Sequence, residues 1–472
     1  MKTLILSLLS AFLLIITSSV YSQHPTLKPR LVVLTDIKDF EPDDQQSLTR
    51  LLVHADLYEI EGIVISTSWG FKDMYEHLDS KDKALGVIDA YEKDLPNLLK
   101  RSNQTGFSQE NEHQEIGYWP SAQYLRDRTM FGSMYRGTRV LGEDNNSDGS
   151  DLIIQLADED DDRRPVWVTF WGGGNTLAQA IWKVQHTRSE PELKAFLHKV
   201  RAYAIADQDR SNVKGDDRLA SFDLSSHSWM RREFSDDLLF IWESCAWWYQ
   251  VGHGRDQWSD YETHIQRHGN LGNQYPKYHY GVEGDTPSFL HLMPNGLNNP
   301  DVPTQVGWGG YSEWGLGEDS CGYSYVNRYG DAHTICRKYA KYFYPATFNN
   351  FAARMDWAKE GNGNRNPIAI INTNEGIEIL KESPRQGATI TLDASKSYDP
   401  DGDTLTYKWW IQPEAGTCTK EITLSNENTC IVNIRVPCDS AGKTFHVICE
   451  ITDNGVPKLT SYRRIIVEPI KF

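Results

Sequence analysis

The fold is decided by Leu31–Leu52, which reads LVVLTDIKDFEPDDQQSLTRLL. Four apolar residues, Leu31 to Leu34, open it, and a short continuous apolar run bounded by polar residues is the pattern of a strand buried on both faces of a parallel sheet. Leu48, Leu51, Leu52 and Ala55 close it at the spacing of one helix face. Between strand and helix stand five carboxylates in nine positions, Asp36, Asp39, Glu41, Asp43 and Asp44, with Pro42 placed for a helix start. Such a loop lies at the C-terminal edge of an open α/β sheet, where ligands bind. Packed carboxylates repel. The dipole of the following helix offsets part of that for Asp43 and Asp44, and a hard divalent cation such as Ca²⁺ would offset more. The other reading is a solvated acidic loop in which Asp43 serves as a cap.

Downstream, strand and helix patterns alternate, which predicts an α/β fold with an open, mostly parallel sheet and flanking helices. Ile60–Ser66 is a second strand candidate, and Asp79–Arg101 carries a helical pattern. Residues 102–150 are polar and irregular and read as an insertion near the site, outside the sheet. Ser150 is expected to cap a helix over Asp151–Ala157. The strand Arg164–Phe170 runs through Trp171 and a Gly172–Gly174 turn into Asn175 and a helix over Leu177–Val184. Glu192–Lys199 reads as helix and Arg201–Ala206 as strand, followed by Asp207, Gln208 and Asp209 at the same sheet edge. Leu238–Trp242 is apolar, and Asp260–His268 reads as helix. Pro294–Tyr323, rich in Gly, Asn and Trp, reads as a long surface loop close to the site, with Trp308, Tyr311 and Trp314 offering flat apolar faces to sugar rings or to a core. Asp331–Lys359 is mostly helical.

The composition bounds the rest. A chain of 472 residues calls for two or three domains. A formal net charge of −17 argues against a nucleic-acid partner. Lys2 followed by the apolar Leu4–Val20 and the small residues to Ser22 reads as a signal peptide over 1–22, too short to span a membrane, so a periplasmic or secreted protein is expected. That compartment permits disulfides. Of seven cysteines, Cys418, Cys430, Cys438 and Cys449 could form two bridges and Cys321 with Cys336 a third, leaving Cys245; spacing does not fix the connectivity. The α/β domain is placed at 28–360 and a linker at 361–367, by its Gly, Asn and Pro content. Beyond it, short β-rich segments over 368–472 read as an antiparallel, immunoglobulin-like sandwich.

The order strand, Thr35, Asp36, loop, Asp43, Asp44, helix resembles the nucleoside hydrolase signature. The variant TDIKDFEPDDQQSLTRLL followed by EIEGIVIST more closely resembles a secreted branch of that superfamily, the cellulose-binding, nucleoside-hydrolase-like proteins. TLDASKSYDPDGDTLTYKWW, residues 391–410, resembles Ig-like modules that accompany carbohydrate-active domains; Asp399, Asp401 and Asp403 in it read as a hairpin loop rather than a cation site. The resemblance implies a Ca²⁺ held by Asp36, Asp44, Asp285 and the backbone carbonyl of Trp171. It further implies Asp36 as the base that activates water, with Asp43 on sugar hydroxyls and Asn175 and Asp207 as further substrate contacts. The Trp171 side chain, large for that position, offers instead to stack on a sugar ring, and Trp308 to contact one.

Two departures qualify the resemblance. Six residues separate Asp36 from Asp43 where the family has three; Asp39 restores the short spacing, and Asp39 or Glu41 is a candidate extra acid near the leaving group. In GVEGDTPSFLHL, residues 281–292, Gly284 stands where nucleoside hydrolases carry a His before the metal-binding Asp. Three functions stay open on this evidence. One is Ca²⁺-dependent hydrolysis of a glycosidic bond in a carbohydrate or ribosyl substrate. Another is non-catalytic binding of cellulose or a related polysaccharide. The third is nucleoside N-ribohydrolysis in the periplasm. The oligomeric state is not readable.

Overall fold

The computed structural model describes residues 26–38, 42–67, 79–138, 141–208 and 225–471. The segment 1–22, read above as a signal peptide, lies outside the described residues, as do Asp39, Glu41 and Asp209. The first domain is built on strands β1 (Arg30–Thr35), β2 (Glu59–Ile65), β3 (Thr129–Phe131), β4 (Val166–Phe170), β5 (Val200–Ile205), β6 (Leu239–Glu243), β7 (Glu313–Leu316) and β8 (Tyr323–Val326). They form one sheet in the order β3-β2-β1-β4-β5-β6-β8-β7, parallel except for β7, which turns back antiparallel on β8. Helices α1 (Asp43–Leu52), α2 (Ser80–Ser102), α3 (Ala122–Asp127), α4 (Asp148–Ala157), α5 (Asn175–Thr187), α6 (Glu190–Lys199) and α7 (Ser226–Phe234) follow the strands in turn. Helices α8 (Ala246–Asp256), α9 (Trp258–His264), α10 (Gly269–Asn273), α11 (Thr286–Leu290) and the long α12 (Gly330–Glu360) complete the domain.

Both sheet faces are covered, which is why β1 is apolar at every position of its run. Leu31 and Val33 join one core with Leu48, Leu51 and Leu52 of α1 and with residues of α2 and α12; Val32 and Leu34 join the other, with α4, α5 and α6. Alternate residues of a strand face opposite sides, so a sheet layered between helices needs both sets apolar.

Three expectations are corrected. The segment 102–150 is not wholly outside the sheet: Thr129–Phe131 pairs with Ile63–Ile65 as its edge strand. Ser147, not Ser150, caps α4; its hydroxyl accepts from the Ser150 backbone N–H at 3.2 Å, while the Ser150 side chain takes the Ser147 N–H at 2.9 Å. The helical pattern over 260–268 stops at His264, because the chain turns to a φ of 63° at Arg267.

Strands β9 (Ile370–Ile371), β10 (Asn374–Glu375), β11 (Leu380–Glu382), β12 (Thr389–Asp393), β13 (Thr406–Gln412), β14 (Thr423–Ser425), β15 (Ile431–Arg435), β16 (Phe445–Thr452) and β17 (Thr460–Val467) build the second domain. Its main sheets run β11-β17-β16-β13 and β12-β15-β14, facing each other across Leu392, Trp409, Ile434, Val447 and Ile465. Cys336 lies within hydrogen-bonding reach of Cys245, not in the Cys321 pairing considered above.

The two domains are sewn together by main-chain bonds. The Tyr462 N–H donates to Asn295 O at 3.1 Å and the Arg464 N–H to Gly296 O at 3.0 Å. The buried Arg464 guanidinium reaches across to the carbonyls of Leu297 (2.5 Å) and Val306 (3.3 Å). Residues 361–367 are pinned as well: Trp357 donates to Asn364 O at 2.8 Å, and Arg365 pairs with Asp401 at 2.8 Å. Asp401 also meets Arg101 of α2 at 2.8 Å, so the acidic hairpin of the sandwich serves as an anchor to the first domain.

Candidate functional site

The chain leaves β1 toward β2 on one side, while β4, its other neighbour, continues toward β5 on the opposite side. Loops that diverge from adjacent strands leave a crevice at their C-terminal ends, the topological switch point at which open α/β sheets bind ligands. The segment Asp36–Lys38 and the turn Trp171–Gly174 are those two exits. They remain close: the N–H groups of Trp171 and Gly172 both donate to Leu34 O, at 2.8 and 3.0 Å. Gly172 permits this, since a Cβ there would lie 2.5 Å from Thr67 O and 2.9 Å from the Asp36 Cβ.

Asp43, Asp44 and Asp285 converge at this edge, each offering a carboxylate oxygen within 4.8 Å of the others. Asp43 and Asp44 open α1; Asp285 precedes α11, more than two hundred residues later. Asp44 is buried, and its Oδ1 accepts from the Thr35 hydroxyl and from the Asp36 N–H at 3.2 Å. Burial, reinforced by the charges of Asp36 and Asp43, raises the Asp44 carboxyl well above its ordinary range. A buried carboxyl held back in this way, with two further carboxylates converging on it, fits a hard cation, which would favour its charged form.

The third carboxylate is delivered by a tightly built corner. Glu283 takes a φ of 54°, rare for a side-chain-bearing residue. It is fixed from every side. Its N–H donates to Gln46 Oε1 (2.9 Å), its carboxylate meets Arg50 at 2.6 Å, and it accepts from the Tyr275 hydroxyl at 2.8 Å. Gln46 and Arg50 belong to α1, so the helix that carries Asp43 and Asp44 also holds the approach to Asp285. Thr286 on Ser47 (3.1 Å) adds a second tie. Gly284, the departure noted in the sequence, acquires a physical reason: a Cβ there would stand 2.7 Å from Asp43 Oδ2. The space a His would need is filled by the Asp43 carboxylate.

Of the residues implied by resemblance, Asp44 and Asp285 are brought together, and Asp43, assigned to sugar hydroxyls, converges with them; Asp36 stands beside Asp44, on which its charge acts. The Asp36 carboxylate turns to the Lys38 ammonium at 3.4 Å. The Trp171 carbonyl accepts from the Gln208 amide, and its indole is fully buried, donating to Ser288 Oγ at 2.7 Å; it offers no face to a sugar. Asn175, at the start of α5, is buried with no hydrogen-bond partner for its amide among the described residues. Such a group is costly unless something else satisfies it. Asp207 is buried and accepts from Ser225 at 2.9 Å. Trp308 goes elsewhere: it is buried in the domain seam, its indole donating to Tyr462 at 3.3 Å. The segment around it, Gln305–Ser312, is buried as well, whereas the strand that follows, Glu313–Leu316, leaves Trp314 and Leu316 exposed. Sequence reasoning missed Arg50 and Glu283, which organise the acids and whose spacing announces nothing; Thr35 stood in the motif without a role, and the structure gives it one on Asp44.

Residues 30–311 match the family described as cellulose-binding Sde182, nucleoside hydrolase-like domain, and residues 389–469 the C-terminal domain of cellulose-binding protein Sde0182. A nucleoside hydrolase-related protein of Saccharophagus degradans, described as associated with carbohydrate metabolism, is 34% identical. The match covers 94% of this chain and 100% of that one, with a TM-score of 0.79. The PKD domain of the KIAA 1837 protein (19% identity, 20% of this chain and 85% of that one, TM-score 0.16) is also similar locally. So is human CDH23 EC21-23 (19% identity, 22% of this chain and 35% of that one, TM-score 0.16). No curated protein matches the chain.

Proposed function

The chain belongs to the cellulose-binding, nucleoside-hydrolase-like family, and on that premise we propose that it is a polysaccharide-binding protein which keeps the hydrolase fold without turnover. The observation that carries this reading is the surroundings of Asp36 and Gly284. The residue expected to act as base, Asp36, is engaged with Lys38, and the position of the family's His is a glycine whose side-chain space belongs to Asp43. The acidic corner then acts as a structural, cation-fitted clasp between α1 and α11. A periplasmic or secreted location, from the apolar leader, is part of the same proposal. The test is retention of the full chain on insoluble cellulose and xylan, with reducing-end and free-base release followed across a glycan and nucleoside panel. Retention without product is expected; product release from any substrate overturns the non-catalytic reading.

A second reading is Ca²⁺-dependent glycosidic hydrolysis, favoured by the convergence of Asp43, Asp44 and Asp285 beneath the switch-point crevice. A cation held there would polarise a water and lower its pKa. Asp36 would take the proton once Lys38 moved aside, and Asn175 and Asp207 line the neighbouring strand exits as hydrogen-bonding groups for sugar hydroxyls. An oxocarbenium-like transition state is helped by surrounding negative charge.

A further inference from the structure

The β7–β8 hairpin closes the sheet on one side, and one of its faces is aromatic and exposed. The register sets Trp314 opposite Tyr325 and Leu316 opposite Tyr323, so the four side chains share that face. Trp314, Leu316 and Tyr323 are each about half exposed (48%, 49% and 52%). The Trp314 and Tyr323 rings are nearly parallel, 21° apart with centroids at 6.3 Å, and Tyr325 props Trp314 edge-on at 5.4 Å. An apolar surface of this kind, held in a fixed orientation and left to water, marks a binding face. Beside it lies a cleft of about 380 Å³ in which Trp314 and Tyr325 meet His198, Arg201, Asp236 and Asp237. Flat rings next to a mixed set of donors and acceptors are what a pyranose requires: axial C–H groups against the rings, hydroxyls against the polar wall.

We propose that this hairpin face and its adjoining cleft bind a neutral, flat, β-linked glucan chain. The proposal rests on the polysaccharide-binding reading above and gives it a location. The net charge of −17 and the carboxylates of the cleft disfavour an anionic glycan. The cleft sits at Arg201 and Leu239, the beginnings of β5 and β6, so it occupies the sheet edge opposite Asp36 and the acidic trio. Glycan held there leaves the hydrolase-like crevice untouched.

The experiment is depletion of the full chain by microcrystalline cellulose and titration with cellohexaose, comparing the wild type with Trp314→Ala, Tyr323→Ala and Trp248→Ala. The first two side chains are exposed, and circular dichroism checks that their variants stay folded. Trp314→Ala and Tyr323→Ala are each expected to weaken retention about tenfold, and Trp248→Ala, which removes an equally exposed ring on α8, to leave it unchanged. Undiminished retention in both hairpin variants overturns this site while leaving polysaccharide binding in place. No retention of the wild type on any glycan overturns the polysaccharide-binding reading itself. Sedimentation velocity adds a third outcome: a wild-type dimer that Trp314→Ala converts to monomer assigns the face to a second copy of the chain and overturns the glycan site.

Discussion

Arg50 and Glu283 meet at 2.6 Å with neither side chain reaching solvent, and this pair sets the distance between the two ends of the acidic corner. Arg50 also donates to Thr347 O at 2.6 Å and lies over the Phe351 ring at 4.9 Å, so α1, the Glu283 turn and α12 share one cation. Glu283→Ala would leave that guanidinium buried without its counter-charge. A loss of about 3–5 kcal/mol is expected, read from urea midpoints at neutral pH. A loss below 1 kcal/mol would show that Thr347 and the aromatic ring suffice to hold Arg50.

Gly284→Ala places a methyl group 2.7 Å from Asp43 Oδ2 and must push that carboxylate out of the trio. Overpacking of this size costs about 1–3 kcal/mol. In an Asp43→Ala background the same change has nothing to displace, so the double-mutant cycle should show a coupling of about 1 kcal/mol or more. Additive effects would mean that Asp43 relaxes freely and that the glycine serves some other purpose.

The cation itself gives a direct measurement. At a hundredfold excess over its dissociation constant, Ca²⁺ should stabilise the folded chain by about 2.7 kcal/mol, seen as a rise in Tm that EDTA reverses. Asp43→Asn and Asp285→Asn should abolish the rise, because each removes one of three converging oxygens. Asp36→Asn should largely preserve it, since that carboxylate faces Lys38. Loss of the rise in Asp36→Asn alone would restore the ligand set expected from family resemblance.

His446 accepts a hydrogen bond from Arg464 through Nδ1 at 3.0 Å, and burial, with the guanidinium beside it, lowers its pKa from 6.5 to about 4. His291, buried and donating to Pro300 O at 2.9 Å, is lowered to about 4 as well, again chiefly by burial. Both are neutral when folded and gain a proton first when unfolded. Their contribution is therefore present above pH 6.5 and is lost as the pH falls toward 4. Each should add about 1.4 kcal/mol per pH unit to the slope of stability in that window. His446→Gln should flatten the slope by one proton's worth in urea unfolding between pH 4 and 6.5; an unchanged slope would mean that His446 is already charged in the folded chain.

What could be read from the chain divides along a physical line. The run Leu31–Leu34 announced a central strand because burial on both faces removes polar residues from every position. β3 was hidden because three residues at a sheet edge carry no period. Asp44 and Asp285 were legible through resemblance, but the convergence of Asp43 with them was not, since it depends on the side-chain space that Gly284 leaves to the Asp43 carboxylate. Trp308 and Trp314 look alike in the same Gly-rich segment. Only the position of Tyr462, 154 residues further on, buries the first and leaves the second in water.

The stitching of Tyr462 and Arg464 to Asn295 and Gly296 leaves no hinge between the domains. Tethered modules gain avidity when a slack connection lets the second find its place after the first has landed. This chain forgoes that search. A polymer bound as proposed would be offered a single stiff footprint, whose separate contacts must match the polymer's own repeat or fail together.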